Sequence, residues 1–225
     1  MRNIWWALAI ALLTFAGSAG AADAAAPTLA PDDIIVGKAD APVTIFEYAS
    51  LTCPHCAEFD VDILPQVRKE WIDTGKARLV FRDYPLDGLA VKAAMLAHCA
   101  PKDRFFAFVD ELFHSQKDWV LNADPMAALK RIGLLGGVGP EKFDACMKDK
   151  TLENKILNER LVADNQYGVN STPTFFVNGS KVIGALPYPE FSAALNAALG
   201  NQPIPETAAK GASTPAGPMS SPAGH

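Results

Sequence analysis

The order of strand-like and helix-like segments is the feature that most limits the folds open to this chain. Ala41–Ser50 and Ala77–Tyr84 are rich in β-branched and aromatic residues, which is typical of strands. Between them, from Pro54 to about Asp73, apolar residues recur at helical spacing. Two strands separated by a helix can pair in parallel through a βαβ crossover. We therefore predict a strand–helix–strand first half, with a kink in the helix at Pro65, which lacks a backbone N–H.

A long helical stretch follows the second strand. Residues 87–168 carry apolar residues at helical spacing almost throughout, and the pattern is broken by Pro, Gly and Asp, which begin or end helices. Helices are predicted over 88–99, 102–116, 124–135, 140–148 and 151–167.

Strands return near the end of the chain. They are predicted over Thr174–Val177 and Lys181–Ile183, joined by the hairpin turn Asn178-Gly179, and a last helix is predicted over Tyr188–Leu199. The simplest fold is α/β, with one mixed sheet flanked by helices and interrupted by an all-helical domain. The boundaries are 36–86 for the first half, 87–168 for the helical insert and 169–200 for the second half.

The first residues have the layout of a secretory signal peptide. Arg2 precedes an apolar run from Ile4 to Phe15, and small residues containing Ala19-Gly20-Ala21 follow. Twelve helical residues span only about 18 Å, which is short of the ~30 Å hydrocarbon core of a bilayer. We therefore predict that 1–22 is cleaved and that the protein is exported to the periplasm, an oxidising compartment in which disulfides persist.

Two other terminal segments are predicted to lie outside the fold. Residues 22–35 are interpreted as a loosely held lead-in, and the Pro/Ala-rich residues 201–225 as a disordered tail, because they hold few bulky apolar side chains. The net charge of the 225 residues is −5, which argues against binding to nucleic acid or to an anionic membrane surface. The length fits one domain with an insertion.

The chemistry is predicted at Cys53-Pro54-His55-Cys56, where the first strand ends and the first helix begins. A helix N-terminus favours an anion, so a thiolate on Cys53 is stabilised there, and His55 can stabilise it further. Pro54 suits the first helical position. Cys56 lies almost one turn further on, so its sulfur is expected beside that of Cys53, with the inner sulfur shielded and the outer one exposed.

Two alternatives for this motif do without redox chemistry. A C-x-x-C pair can be half of a zinc site, but no second such pair or H-x-x-x-H occurs, and only Cys99 and Cys146 could complete it. We predict no metal. An inert structural disulfide is the other alternative, although so short a loop gives little entropic stabilisation.

A second motif makes the first more specific. Cys53-Pro54-His55-Cys56, together with Ser171-Thr172-Pro173-Thr174 ahead of a late strand, resembles the DsbA family of thioredoxin-fold thiol:disulfide oxidoreductases over about residues 36–200. The resemblance implies a thioredoxin fold with a helical insertion that acts as a disulfide donor. It implies that Pro173 is the family's cis-proline and that Thr172, which precedes it, helps to shape the substrate site and tunes the redox behaviour. Because Thr at this position also occurs in the isomerase branch, oxidase and isomerase both stay open.

Glu47 lies in the first strand, six residues before Cys53. A buried carboxylate is costly unless it is paired, and Arg82 on the next strand is the predicted partner. The resemblance implies an acid at this place that exchanges protons with Cys56. The alternative is a strand-end Glu whose tip lies in water.

Cys99 and Cys146 fall in different predicted helices of the insert. In an exported protein two remaining cysteines usually pair, so we predict a structural disulfide, which would close a loop of about 47 residues and contribute a few kcal/mol. Two free, buried thiols are the alternative.

The sequence thus predicts a periplasmic, monomeric enzyme that donates its Cys53–Cys56 disulfide to reduced exported polypeptides. Cys53 forms the mixed disulfide, Cys56 resolves it, and no cofactor is needed beyond the redox-active disulfide. The resemblance implies reoxidation by a quinone-linked partner in the inner membrane. The alternatives are a disulfide isomerase or reductase on the same fold, and a non-catalytic periplasmic chaperone or metal-binding module.

Overall fold

The computed structural model describes residues 25–205. The predicted signal peptide, 1–22, and most of the predicted tail, from residue 206 onward, lie outside the described residues. Between residues 25 and 205 no helix is long and apolar enough to cross a membrane.

A five-stranded mixed sheet forms the centre of the molecule. Its strand order is β1-β3-β2-β4-β5, with β2 and β3 parallel and the other neighbours antiparallel. The sheet has helices packed against it and a helical insertion between β3 and β4, which confirms the predicted fold class. The strands are β1 Ile35–Gly37, β2 Val43–Ala49, β3 Ala77–Asp83, β4 Thr174–Val177 and β5 Ser180–Ile183.

The first helix runs from residue 54 to residue 72 and alternates between α-helical and π-helical turns. Its segments are α1 Pro54–Glu58, a first π-turn Phe59–Ile63, α2 Leu64–Val67 and a second π-turn Arg68–Ile72. The first π-turn ends directly before Leu64 and Pro65. Because Pro65 cannot donate to a carbonyl one turn back, the wider turn accommodates it within the helix, where the sequence predicted only a kink.

The insertion is built from short helices. The predicted helix 102–116 is observed as a 3₁₀ turn followed by an α-helix that ends before Ser115, whose hydroxyl donates to the carbonyl of Glu111 at 2.7 Å. A separate short helix begins at Gln116 and continues beyond the predicted end. The helices are α3 Gly88–Cys99, the 3₁₀ turn Lys102–Arg104, α4 Phe105–His114, α5 Gln116–Val120, α6 Pro125–Leu135, α7 Pro140–Met147 and α8 Lys150–Tyr167, and α9 Tyr188–Leu199 follows β5.

The lead-in is held to the sheet, so the prediction that 22–35 is loosely attached is wrong for its described part. β1 pairs with β3, and Asp33 accepts two hydrogen bonds of 2.7 Å from the buried Arg82. Gly37 has φ +109°, and a Cβ at this position would lie 2.8 Å from the carbonyl oxygen of Ala77. A strand of three residues is too short to produce a recognisable sequence pattern.

Candidate thiol–disulfide site

The Cys53-Pro54-His55-Cys56 motif lies at the edge of the sheet where β2 ends. Cys53 is the N-cap of α1, with extended backbone angles, and Pro54 is the first helical residue. The loop before the helix is fixed by the insert, because the amide of Gln116 donates to the carbonyls of Leu51 at 2.8 Å and Cys53 at 3.0 Å. The strand end and one insert helix thus position the first cysteine together.

Both cysteines are more enclosed than the sequence predicted. Cys56 is fully buried, as expected for the inner sulfur, but Cys53 is only 5% exposed, so the expected exposed outer sulfur is not observed. The Cys53 thiol lies 3.5 Å from the carbonyl oxygen of Thr172, and the Thr172–Pro173 peptide is cis. The loop before β4 therefore covers Cys53.

The two thiols have opposite acidities. A hydrogen bond with the Cys56 thiol, supported by the backbone N–H groups of His55 and Cys56, lowers the pKa of Cys53 to about 6 against the opposing effect of burial. Burial raises the pKa of Cys56 well above its ordinary value, and the neighbouring Cys53 adds to the increase. The site therefore favours a thiolate on Cys53 and a protonated thiol on Cys56.

The His55 side chain points toward a different neighbour from the one the sequence predicted. Its Nδ1 lies 3.2 Å from Oε2 of Glu58, and its side chain is 61% exposed. His55 acts on Cys53 through its backbone N–H. Stabilisation of the thiolate by the imidazole ring stays a prediction.

Glu47 is buried, but Arg82 is not its partner. The strand register pairs Glu47 with Phe81 and Tyr48 with Arg82, so Arg82 lies on the opposite face of the sheet, where it contacts the Phe46 ring and Asp33. Glu47 is 1% exposed, which also excludes a tip in water, and within residues 25–205 its Oε1 has no hydrogen-bond partner. Burial raises the pKa of Glu47 well above its ordinary value, which favours the protonated carboxyl group.

Sequence reasoning missed a second buried acid in this region. Asp60 lies in the first π-turn, four residues after Cys56, and is 4% exposed. Burial and the nearby Asp110 raise its pKa to about 7, and the charge of Asp60 in turn raises the pKa of Glu47. The i,i+4 spacing from Cys56 is the signal that could have identified it, because residues so spaced share a helix face.

The remaining cysteines are bonded to each other. Cys99 of α3 and Cys146 of α7 form a disulfide with a Cα–Cα distance of 6.3 Å. Neither is therefore able to complete a zinc site with Cys53 and Cys56. Among the described residues no group of three or more His, Cys, Asp or Glu side chains is arranged to hold a metal ion.

Comparison with known proteins agrees with this fold. The thioredoxin family model, described as Thioredoxin, matches residues 29–197. A Rickettsia typhi protein named as a protein-disulfide oxidoreductase is 36% identical over 150 residues, which are 66% of this chain and 55% of that protein. Disulfide bond formation protein D of Bacillus subtilis is 28% identical over 172 residues, or 69% of this chain and 72% of that protein. The chain thus spans little more than half the length of the Rickettsia relative.

Solved structures with the same fold include proteins of the DsbA type. The crystal structure of Wolbachia pipientis alpha-DsbA1 has a TM-score of 0.72 and 33% identity, and the match covers 77% of this chain and 94% of that one. BdbD from Bacillus subtilis, at 24% identity and a TM-score of 0.70, shares the fold over 79% of this chain and 99% of its own. The chain belongs to the thioredoxin family and is DsbA-like within it.

Proposed function

We propose that this protein is a periplasmic thiol:disulfide oxidoreductase that donates its Cys53–Cys56 disulfide to reduced exported polypeptides. The observation that carries the proposal is the opposite acidity of the two thiols, a pKa of about 6 for Cys53 and a strongly raised one for Cys56. Relatives named for disulfide chemistry support it. Export depends on residues 1–22, which lie outside the described part of the chain.

The first step opens the disulfide. A substrate thiolate attacks Sγ of Cys53, the Cys53–Cys56 bond breaks, and its electron pair passes to Sγ of Cys56. Because Cys56 is fully buried, an anionic sulfur is costly there and takes up a proton. Glu47, which is buried and whose raised pKa favours the protonated carboxyl group, is the proposed donor.

The second step releases the oxidised product. A second thiolate of the substrate attacks the substrate sulfur of the mixed disulfide, and Cys53 leaves as a thiolate. A thiol of low pKa leaves faster, and the stabilised thiolate exists only in the reduced protein. Each unit by which the Cys53 pKa is lowered makes the couple more oxidising by about 30 mV.

The loop before β4 is the proposed substrate site. The Thr172 carbonyl oxygen lies 3.5 Å from the Cys53 thiol and the cis-Pro173 follows it, and the Thr172 hydroxyl has no hydrogen-bond partner within residues 25–205. An extended substrate segment beside this loop would bring its cysteine to Cys53. A quinone-linked partner in the inner membrane is the proposed reoxidant, and the protein is proposed to act as a monomer.

Substitution of Cys53 tests the mechanism directly. Cys53→Ser is expected to abolish oxidative refolding of a reduced substrate, because no thiol remains to form the mixed disulfide. Cys56→Ser is the matched control, since it keeps Cys53. With glutathione disulfide as the oxidant, it should accumulate mixed disulfides on Cys53, which mass spectrometry detects. Full refolding activity in Cys53→Ser would overturn the proposal.

A redox titration separates the donor from the reductase alternative. Mature protein is equilibrated with glutathione, its thiols are alkylated, and the peptides containing Cys53 and Cys56 are quantified. A potential well above the glutathione range is expected for a donor, whereas a value near that of thioredoxin, about −270 mV, would show a reductant. A non-catalytic chaperone would instead keep its activity when both cysteines are replaced.

A further inference from the structure

The burial of Cys56 creates a requirement for proton transfer. In the proposed function Cys56 gains a proton each time the disulfide opens and loses one each time it forms again. Cys56 is 0% exposed, so its sulfur cannot exchange protons with bulk water directly. A chain of protein groups has to carry the proton between Cys56 and the surface.

Glu47 alone does not complete this chain. It is 1% exposed and lies on β2, the central strand of the five-stranded sheet. A carboxyl group that has given its proton to Cys56 must be protonated again before the next cycle, and bulk water does not reach this one. A second group must therefore lie between Glu47 and solvent.

Asp60 has the properties of that second group. It is 4% exposed, it is electrostatically coupled to Glu47, and its Oδ1 has no hydrogen-bond partner within residues 25–205. Its location in a π-turn is typical of functional segments in helices. With a pKa of about 7, Asp60 both accepts and releases protons readily near neutral pH.

The path from Asp60 reaches the surface at the contact between the first helix and the insert. α4 packs against the first π-turn, and there Asp110 accepts a hydrogen bond of 2.7 Å from Arg68. Both partners of this ion pair are about one-third exposed. The exposed His114 faces the same region, and its Nδ1 lies 2.8 Å from the backbone carbonyl of Asp110.

We propose that Asp60 passes protons between Glu47 and solvent, and that the Arg68–Asp110 pair, one half of which comes from the insert, controls this transfer. The proposal rests on the proposed function. When the disulfide opens, Glu47 gives its proton to the Cys56 thiolate, Asp60 gives one to Glu47, and solvent beside Arg68 and Asp110 protonates Asp60 again. When the disulfide forms, the same transfers run in reverse, so the proton that Cys56 took up from solvent on opening is returned to solvent over one cycle.

Asp60→Asn tests the relay, because Asn keeps the shape of the side chain but cannot transfer a proton in this way. Reduced protein is mixed with glutathione disulfide, quenched with acid, and analysed by mass. Attack by Cys53 forms the glutathione mixed disulfide, and attack by Cys56, which must first lose its proton, then expels glutathione. The variant should slow the second step at pH 7 by about a hundredfold, at the lower end of what a positioned proton-transfer group supplies.

The first step serves as an internal reference, because the groups that set the Cys53 pKa are its own neighbours Cys56, Thr172 and His55. Asp62→Asn is the matched control, because Asp62 lies in the same π-turn but is exposed. The rates of both steps in this variant should equal those of the unmodified protein. An unchanged second step in Asp60→Asn would overturn the relay. If Glu47→Gln also left that step unchanged, the proton donor of the proposed function would fail as well.

The ion pair offers a second test that does not depend on Asp60→Asn. Arg68 lowers the pKa of Asp60 and of Glu47, whereas Asp110 raises both. Asp110→Asn should therefore move the pH profile of the Cys56 step to lower pH, and Arg68→Gln should move it to higher pH. If the two substitutions acted only by disturbing the fold, both pH profiles would move in the same direction. Profiles that coincide with that of the unmodified protein would overturn the proposed control by this pair.

Discussion

The interior near Cys56 contains two carboxyl groups, those of Glu47 and Asp60. The positive charge of Arg68, on the first helix, lowers the pKa of both. Each carboxyl has one oxygen without a hydrogen-bond partner in that part of the chain. Buried polar groups in this condition cost stability, so their retention indicates a use beyond folding. The cost also depends on pH, because it is smallest when the carboxyl groups carry protons.

Glu47 should make the protein less stable as the pH rises. The raised pKa means that the folded protein keeps this proton above the ordinary pKa of 4.5, while the unfolded chain releases it. Unfolding then releases a proton, so the free energy of unfolding falls with increasing pH, by up to about 1.4 kcal/mol per pH unit. Glu47→Gln should remove this part of the slope, as measured by urea unfolding of the oxidised protein between pH 5 and pH 8.

The oxidised form is used because its active-site cysteines do not titrate. Glu111→Gln is the control, since Glu111 is exposed and its substitution should leave the slope as it is. A slope in Glu47→Gln as steep as in the unmodified protein would show that Glu47 is ionised in the fold.

At the scale of single residues the sequence predicted the cysteines and the acid but not the partner of the acid. The motif and its position before a helix follow from local chemistry, and so does the polar residue in an apolar strand. The register between β2 and β3 decides which side chains share a face, and a shift by one residue exchanges the faces. The sequence does not contain this register, so the predicted pairing of Glu47 with Arg82 is wrong, and Arg82 lies on the other face of the sheet.

At the scale of elements, α3 is connected to the active-site loop through its N-cap. Asp87 accepts a hydrogen bond from the backbone N–H of Ala90 at 2.7 Å with one oxygen and from the hydroxyl of Thr52 at 2.8 Å with the other. Asp87→Ala should lower the free energy of unfolding by about 2 kcal/mol, the sum of a lost cap and a lost hydrogen bond to a charged group. Urea unfolding measures this difference.

Asp124→Ala is the matched control for this element. Asp124 caps α6 by accepting from the backbone N–H of Ala127 at 2.9 Å, and its side chain is exposed. Its loss should cost only about 1 kcal/mol, since a cap alone is removed. Equal losses in the two variants would show that the Thr52 hydrogen bond contributes nothing to stability.

Helices and strands with a strong pattern were predicted to within a few residues, and α9 and β4 were predicted with their observed bounds. The elements that escaped prediction are those whose conformation depends on contacts distant in sequence. β1 exists because it pairs with β3, and the π-turns have the same apolar spacing as an α-helix over so few residues.

At the scale of the whole molecule, charged side chains connect the sheet, the lead-in and the insert. Arg82 of β3 forms ion pairs with Asp33 of the lead-in and Glu159 of α8, at 2.7 and 3.4 Å. The next residue, Asp83, accepts a bond of 2.6 Å from His98 of α3. The carboxyl end of β3 is thus the point at which these three parts of the molecule meet.

The disulfide between α3 and α7 should stabilise the molecule through the unfolded state. Its loop spans 47 residues, for which the loss of chain entropy corresponds to at most about 4 kcal/mol. Replacement of both Cys99 and Cys146 by Ala should lower the free energy of unfolding by about 2–4 kcal/mol, as measured by urea unfolding. Replacement of Cys53 and Cys56 by Ala should lower it less, because that loop is only four residues long. A smaller loss for the long loop than for the short one would contradict this account.

The position at which the helical insert joins the sheet has a consequence for the evolution of such proteins. β3 ends and β4 begins at the sheet edge where β2 ends, so the insert leaves and rejoins the sheet beside Cys53. Mutations that lengthen, shorten or resurface the insert can leave every strand in register. Descendants of one ancestor can therefore acquire different surfaces around the same pair of sulfurs without rebuilding the scaffold that holds them.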